Sequence, residues 1–135
     1  MSEATGTNSI QSDMRVLRHL LFQRVRGETH AERLESFYRG QARDYDSFRA
    51  RMLHGRRELI AKIDFPSDGI WVDMGAGTGE NVLLAGKRAE LLREIHLVDL
   101  SSSLLTVASE RLKEAGVSTA QIHLADATRF DAAPE

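Results

Sequence analysis

The chain has 135 residues, enough for one domain of ordinary size and too few for two. Apolar residues make up 41% of it and charged residues 28%, as in ordinary globular proteins, and it contains no cysteine, which excludes disulfides and thiolate metal sites. No apolar run approaches the roughly 20 residues needed to cross a bilayer, and the start of the chain lacks the features of a secretion signal. We therefore expect a cytoplasmic protein.

The net charge of −2 conceals an uneven distribution along the chain. Residues 13–62 hold 12 basic and 7 acidic residues, a net charge of +5, whereas residues 63–135 hold 6 basic and 12 acidic residues, a net charge of −6. A basic half of this kind suits contact with phosphate, an anionic membrane surface or an acidic partner. A solvated helix surface explains it equally well, and we expect no binding to DNA.

The first part of the chain, residues 12–65, is predicted to be helical, after a tail over residues 1–11 whose small polar residues favour disorder. A first helix is expected from Ser12, a typical N-cap residue, to Gly27. It is amphipathic and contains four arginines, Arg15, Arg18, Arg24 and Arg26. Such a helix suits docking at the periphery of an anionic membrane, and packing against another part of the domain explains it as well.

Two further helices are expected before residue 66. Thr29 and Glu32 have the spacing of a capping box, which predicts a short helix that ends near Gly40. A third helix is predicted over about 46–63, although Gly55 near its middle weakens it.

Residues 66–135 follow a different pattern, in which short apolar runs alternate with helical stretches after a turn at 66–69. Strands are predicted over 70–72, 95–99 and 121–124, and helices over 81–92 and 102–114, the second capped by Ser101. A β-α-β-α-β order predicts parallel strands joined by right-handed crossovers, in an α/β fold with helices on both faces of the sheet.

Residues that carry chemistry fall at the carboxyl ends of the three predicted strands, where open α/β sheets bind their ligands. The first strand leads into the loop Asp73-Met74-Gly75-Ala76-Gly77-Thr78-Gly79, whose glycines allow a sharp turn and a close approach of a ligand to the main chain. Asp99, followed by Leu100, ends the second strand and is placed to accept hydrogen bonds from both ribose hydroxyls of a nucleoside. Asp126-Ala127 follows the third strand, where the adenine would lie.

The spacing of the glycines also distinguishes between nucleosides. A nicotinamide dinucleotide fingerprint that starts at Gly75 would need its third glycine at residue 80, which is Glu80; the third glycine is Gly79 instead. A glutamate beside a pyrophosphate is unfavourable, whereas S-adenosylmethionine contains no phosphate. It carries an amino group and a sulfonium, next to which an acid such as Asp73 is favourable.

The glycine loop, Asp99 and Asp126-Ala127 together resemble the class I S-adenosylmethionine-dependent methyltransferases. The resemblance implies a Rossmann-like fold, S-adenosyl-L-methionine as cofactor and S-adenosyl-L-homocysteine as product. The cofactor-binding residues that it implies are Asp73, Gly75, Ala76, Gly77, Gly79, Asp99, Leu100, Asp126 and Ala127. That family has a seven-stranded sheet, so the chain is expected to hold only the N-terminal half of the fold, with an uncovered sheet edge open to self-association.

The segment before the first strand is more specific. The run Phe37-Tyr38-x-x-Gln41-Ala42-x-x-Tyr45-Asp46-x-x-Arg49, followed by Leu53-x-Gly55-Arg56, resembles the methyltransferases of betaine-lipid synthesis. Those enzymes trimethylate the amine of diacylglyceryl-homoserine. The resemblance therefore implies an N-methyltransferase acting on the amine of a lipid head group.

Three residues of this segment are candidates for a lid over the cofactor. By analogy with related methyltransferases, Tyr38 and Tyr45 are expected near the sulfonium, where aromatic rings give cation–π stabilisation. Arg56 is expected to pair with the carboxylate of the methionine moiety. Core packing for Tyr38 and a surface ion pair for Arg56 are the alternatives. No set of His, Asp and Glu has the spacing of a metal site, and no catalytic base is identified.

Other acceptors fit the same cofactor motif. The alternatives are a methyltransferase acting on a small metabolite, a quinone or RNA, and a non-catalytic module that only binds S-adenosylmethionine. A nicotinamide dehydrogenase is disfavoured by Glu80.

Overall fold

The computed structural model describes residues 11, 14–18, 21–22, 24–39, 47, 49 and 54–131. The chain divides into two compact units, Met1–His54 and Gly55–Glu135. Residues 1–10 of the predicted tail lie outside the described residues, and Gln11 is helical. In the part of the chain that the structure describes, no helix has the length and the apolar character needed to cross a membrane.

The first unit is helical wherever its elements are described. Residues 14–18 and 21–22 are helical, within the predicted first helix, but residues 24–27 are not, so the prediction that this helix extends to Gly27 is wrong at its C-terminal end. Helix α1, His30–Tyr38, begins with the predicted capping box, since the Thr29 hydroxyl accepts a hydrogen bond from the Glu32 backbone N–H at 3.2 Å. The Glu32 carboxylate accepts in turn from the Thr29 backbone N–H at 3.1 Å. The predicted end of this helix at Gly40 lies outside the described residues.

The second unit is built on a three-stranded parallel sheet in the order β1-β2-β3. The strands are β1, Ile70–Met74, β2, Glu94–Asp99, and β3, Ala120–Leu124. In the register, Asp73 lies opposite Leu97, and Asp99 lies opposite Leu124. All three strands therefore end at the same edge of the sheet, which confirms the predicted order and direction.

The helices of this unit are α2, Arg56–Lys62, α3, Glu80–Ala85, and α4, Ser102–Glu114. They share one core with a single face of the sheet, formed by residues such as Ile60, Val82, Ile95, Leu97 and Ala108. The expectation of helices on both faces is thus met on one face only within the described residues of this unit. Successive right-handed crossovers that move in one direction place their helices on the same side, and a second layer requires a reversal of strand order.

Two further predicted helices differ in their extent, and a glycine with positive φ explains each of these two differences. The prediction of one helix over about 46–63 is wrong at Gly55, which has φ of +91° and precedes the start of α2. The predicted helix over 81–92 changes after Ala85, where Gly86 has φ of +56°, into a 3₁₀ helix, Gly86–Leu91. Glycine adopts such conformations without the steric cost that a Cβ brings, so it ends helices readily.

Arg88 ties the 3₁₀ helix to the end of α2. Its guanidinium donates hydrogen bonds to the carbonyl oxygens of Ile60 at 2.7 Å and Ile63 at 3.0 Å, and it lies 5.3 Å from the centre of the Phe65 ring. The Ile60 oxygen also accepts from the Ile63 N–H at 3.3 Å, so Arg88 adds a second donor at the C-terminus of α2. The C-terminal end of α2 is therefore joined to the 3₁₀ helix.

Candidate functional site

The glycine loop continues β1 across the end of β2. The backbone N–H groups of Gly75 and Ala76 both donate to the carbonyl oxygen of Val98, at 2.8 and 3.1 Å, and the Gly79 N–H donates to the Ala76 oxygen at 3.0 Å. Gly79 is the N-cap of α3. The loop is therefore held at both ends, between the end of β1 and the first turn of α3.

All three glycines of the loop have positive φ, with values of +72° at Gly75, +56° at Gly77 and +76° at Gly79. A Cβ added at Gly75 would meet no atom within 4 Å, so the loop is open on that side. At Gly79 a Cβ would come within 3.3 Å of the Leu97 side chain. The backbone conformation thus favours glycine at each of these three positions, and close packing adds a second reason at Gly79.

Asp99 links the loop to the next helix. Its Oδ2 accepts a hydrogen bond from the Gly77 N–H at 2.9 Å, and its Oδ1 accepts from the Ser101 N–H at 2.9 Å. An ionised carboxylate has about four acceptor positions. Each oxygen can therefore keep its backbone bond while it accepts another from a bound hydroxyl, which is the role predicted for Asp99.

Asp73 lies in β1 and is 7% exposed. The side-chain amide of Asn81 donates to both of its oxygens, at 3.0 and 3.2 Å. Burial raises the pKa of Asp73, the Asn81 hydrogen bond and the charge of Arg56 lower it, and the charge of Asp99 raises it. A buried carboxyl group is thus held just before the glycine loop, with Arg56 within electrostatic reach.

Glu80 is paired with Arg111 of α4, whose guanidinium donates to its Oε2 at 2.6 Å. The same guanidinium donates to the Thr78 carbonyl oxygen at 3.3 Å and to its hydroxyl at 3.2 Å. Because this pair balances the charge of Glu80, the sequence argument that Glu80 repels phosphate is weakened. The stronger argument against a pyrophosphate is Asp73, whose buried carboxylate has only part of its charge compensated.

The residues after β3 complete the edge. The Ala125 N–H donates to the Asp99 carbonyl oxygen at 3.0 Å, so the chain after β3 stays beside the end of β2. Asp126 Oδ1 accepts from the Thr128 N–H at 2.9 Å and from its hydroxyl at 2.7 Å, which shapes a turn that contains the partly buried Ala127. Leu100, also partly buried, follows Asp99.

The three predicted lid residues do not all belong to the second unit. Arg56 is the first residue of α2 in the second unit, where it contributes to the electrostatics of Asp73. Tyr38 is the last residue of α1 in the first unit and packs edge-to-face against Phe37, with 4.9 Å between ring centres. Tyr38 is partly buried, and its role stays a prediction. Tyr45 lies outside the described residues.

Sequence reasoning did not single out Asn81 or Arg111 as parts of the site. The signal for Asn81 is its position in the first turn after the glycine loop, where a short amide side chain reaches back to the strand end. Arg111 lies 31 residues after Glu80 in the sequence. Local spacing patterns therefore could not predict the ion pair between them. Within the described residues, no group of three or more His, Asp and Glu side chains could hold a metal ion.

Comparison with known proteins finds similarity over part of the chain. A protein-family model described as "Methyltransferase domain" matches residues 72–135, which include the glycine loop, Asp99 and Asp126. Among solved structures, the YcgJ protein from Bacillus subtilis is 25% identical with a TM-score of 0.44, over 52% of this chain and 29% of that one. No curated protein matches the chain. The second unit thus combines a Rossmann-like α/β fold with a sequence match to the methyltransferase domain family.

Proposed function

We propose that the chain binds S-adenosylmethionine at the carboxyl edge of its sheet and is the cofactor-binding part of a methyltransferase. The hydrogen bond from the Gly77 N–H to the Asp99 carboxylate carries this proposal. It joins the two elements that a nucleoside needs, an open main-chain loop and an acceptor for ribose hydroxyls, through a contact within the protein. A site whose groups are held by such contacts loses less entropy on binding.

Each end of the cofactor has a complementary group in the second unit. Asp99 is the acceptor for the ribose hydroxyls, and the turn at Asp126-Ala127 is the place for adenine. The carboxylate of Asp73 suits the amino group of the methionine moiety, and the guanidinium of Arg56 suits its carboxylate. When bound, S-adenosylmethionine supplies an electrophilic methyl group on its sulfonium.

For the acceptor we propose the amine of a lipid head group of the diacylglyceryl-homoserine type. The support is the resemblance of residues 34–56 to the betaine-lipid methyltransferases. Methyl transfer to an amine requires positioning and a neutral nitrogen, and no covalent enzyme intermediate, so the lack of a nucleophilic cysteine is no obstacle. A small metabolite, a quinone or RNA as acceptor, and a module that only binds the cofactor, are the competing functions.

Calorimetric titration of the full chain tests the cofactor. We expect saturable binding of S-adenosylhomocysteine and no binding of NAD, with affinity reduced at least tenfold in Asp99→Ala. The exposed variant Asp64→Asn serves as the control and should bind as the parent chain does. Saturable binding of NAD, or failure to bind S-adenosylhomocysteine in a chain shown by circular dichroism to be folded, would overturn the proposal.

The acceptor is tested separately, with S-adenosylmethionine labelled in its methyl group and diacylglyceryl-homoserine in mixed micelles. We expect label in the extracted lipid and none in free homoserine. If the chain transfers label to a small metabolite, a quinone or RNA and none to the lipid, the lipid acceptor is wrong while the cofactor assignment stands.

A further inference from the structure

We propose that the described residues between 14 and 26, hereafter the basic–apolar segment, dock the protein on the surface of an anionic lipid bilayer. Large apolar side chains of this segment face outward, with Met14 61% exposed, Leu21 73% and Phe22 79%. Val16, which the helical geometry places on the opposite side of the same helix, is 1% exposed. The helix is therefore apolar on its buried side and on its outward side as well.

That pattern is unusual for a helix at a protein surface. A helix of a globular protein normally buries one apolar stripe and exposes charged or polar residues opposite to it. Here the exposed side chains line a single open groove: Gln11, Met14, Arg15, Leu17, Arg18, Leu21 and Phe22. Apolar side chains gathered on one surface, as opposed to scattered singly, indicate a binding surface.

The charge of the segment identifies the kind of partner. From Met14 to Gly27 the sequence contains four arginines and no acidic residue. The four arginines, Arg15, Arg18, Arg24 and Arg26, are exposed. Apolar side chains with arginines beside them match the boundary between lipid tails and anionic head groups, where the apolar side is buried and the guanidinium groups reach the phosphates.

Other occupants fit these observations less well. A second copy that docks by two-fold symmetry would bring the same arginines face to face, and the like charges would repel. A nucleic acid would satisfy the arginines and leave the side chains of Leu21 and Phe22 in water. A bilayer surface with anionic lipid satisfies both properties at once.

Vesicle flotation with the full chain tests the inference. We expect the protein to float with vesicles of phosphatidylcholine and phosphatidylglycerol and to remain unbound with phosphatidylcholine alone. Because each basic residue near an anionic surface contributes about fivefold to binding, the double variant Arg15→Gln/Arg18→Gln should bind about 25-fold more weakly. Raising the salt concentration should weaken binding of the parent chain in the same direction.

The apolar part is tested with Leu21→Glu and compared with Leu59→Glu. Leu59 is similarly exposed, at 64%, but lies on α2 in the second unit. We expect Leu21→Glu to lose flotation, Leu59→Glu to retain it, and both to bind S-adenosylhomocysteine as the parent chain does. That last measurement keeps this inference separate from the proposed cofactor.

Three results would overturn the inference. The first is absence of flotation with anionic vesicles by a folded parent chain. The second is equal loss of flotation in the Leu21 and Leu59 variants. The third is a parent chain that forms dimers by light scattering which Leu21→Glu dissolves, since the surface would then join two copies of the chain.

Discussion

Asp99 and Gly77 are 22 residues apart in the sequence, and the Asp99 carboxylate holds the Gly77 N–H at 2.9 Å. The last residue of β2 therefore fixes the conformation of the loop that follows β1. The other Asp99 oxygen accepts from the Ser101 N–H, at the N-cap of α4. The Asp99 side chain thus links the glycine loop and the start of α4 to the end of β2 by hydrogen bonds. The candidate site depends on all three elements.

Replacing Asp99 with asparagine tests this arrangement. The amide keeps one acceptor oxygen but brings an NH₂ group to one of the two backbone N–H donors, so one hydrogen bond to a charged group is lost. We expect the free energy of unfolding, measured by urea titration, to fall by about 1.5–3 kcal/mol. We also expect affinity for S-adenosylhomocysteine to fall at least tenfold. Unchanged stability and affinity would show that the Gly77 bond has no structural role.

Replacing Asp73 with asparagine should separate stability from binding. Because burial raises the pKa of Asp73, the folded protein holds this proton more tightly than the unfolded chain does. The group therefore favours folding below its unfolded pKa of about 3.9, and this contribution is lost as pH rises through the raised folded value. At neutral pH the parent chain retains the cost of the buried charge, which Asp73→Asn removes.

We accordingly expect the free energy of unfolding of Asp73→Asn, relative to that of the parent chain, to increase as the pH rises from 3 to 7. Urea titrations at each pH measure this difference. The same variant should bind S-adenosylmethionine about tenfold more weakly, because a charge-assisted hydrogen bond is lost. A stability difference that does not vary with pH would contradict the assigned cause.

Asn81 should act through Asp73. Leucine at this position leaves a buried carboxylate without its amide partner, which should cost about 1–3 kcal/mol in urea unfolding. In the double variant with Asp73→Asn, which carries no charge at that place, most of this cost should disappear. Purely additive effects of the two substitutions would mean that the two side chains are not coupled.

Gly77→Ala should affect both the fold and the site. An alanine in the left-handed conformation that Gly77 adopts, with φ of +56°, costs about 1–2 kcal/mol. Gly116 has φ of +75° and no neighbour within 4 Å of an added Cβ, and it ends α4 away from the loop, which makes Gly116→Ala a matched control. Both variants should lose similar stability in thermal unfolding, and only Gly77→Ala should lose affinity for S-adenosylhomocysteine.

His123 should make stability depend on pH in the mildly acidic range. Its Nε2 lies 3.0 Å from Nδ1 of His96, and burial and the charge of His96 both lower the pKa of His123. A lowered pKa favours the neutral ring in the folded state, so this contribution is present above the unfolded pKa of about 6.5 and is lost as pH falls through the folded value. The parent chain should therefore lose stability between pH 7.5 and 5.

His123→Phe should remove that part of the pH dependence, because the ring no longer takes up a proton. His30→Gln, at an exposed histidine that begins α1, is the control and should keep the slope of the parent chain. Identical slopes in His123→Phe and the parent chain, measured by urea unfolding, would rule out His123 as the source.

Local sequence patterns determined the order of elements and the position of the candidate site. Alternation of short apolar runs with helical stretches predicts the three strands, and capping residues such as Thr29 and Ser101 mark helix starts that the structure confirms. The glycine cluster and the acids at successive strand ends could be placed at one edge because parallel strands end together. These features depend on neighbours in sequence, which is why they were predictable.

Other features were decided only by the tertiary structure. The partnership of Asp73 with Asn81 and the neutralisation of Glu80 by Arg111 arise from contacts between elements. The burial of Val16, on a helix whose other apolar side chains are exposed, is also a property of the folded chain. Local spacing likewise did not predict that Gly55 and Gly86 would interrupt helices, because a glycine tolerates both helical and left-handed conformations. The sequence by itself determined which elements form and where their ends meet, whereas packing decided which charges are paired and which apolar surfaces stay exposed, because both depend on residues that are distant along the chain.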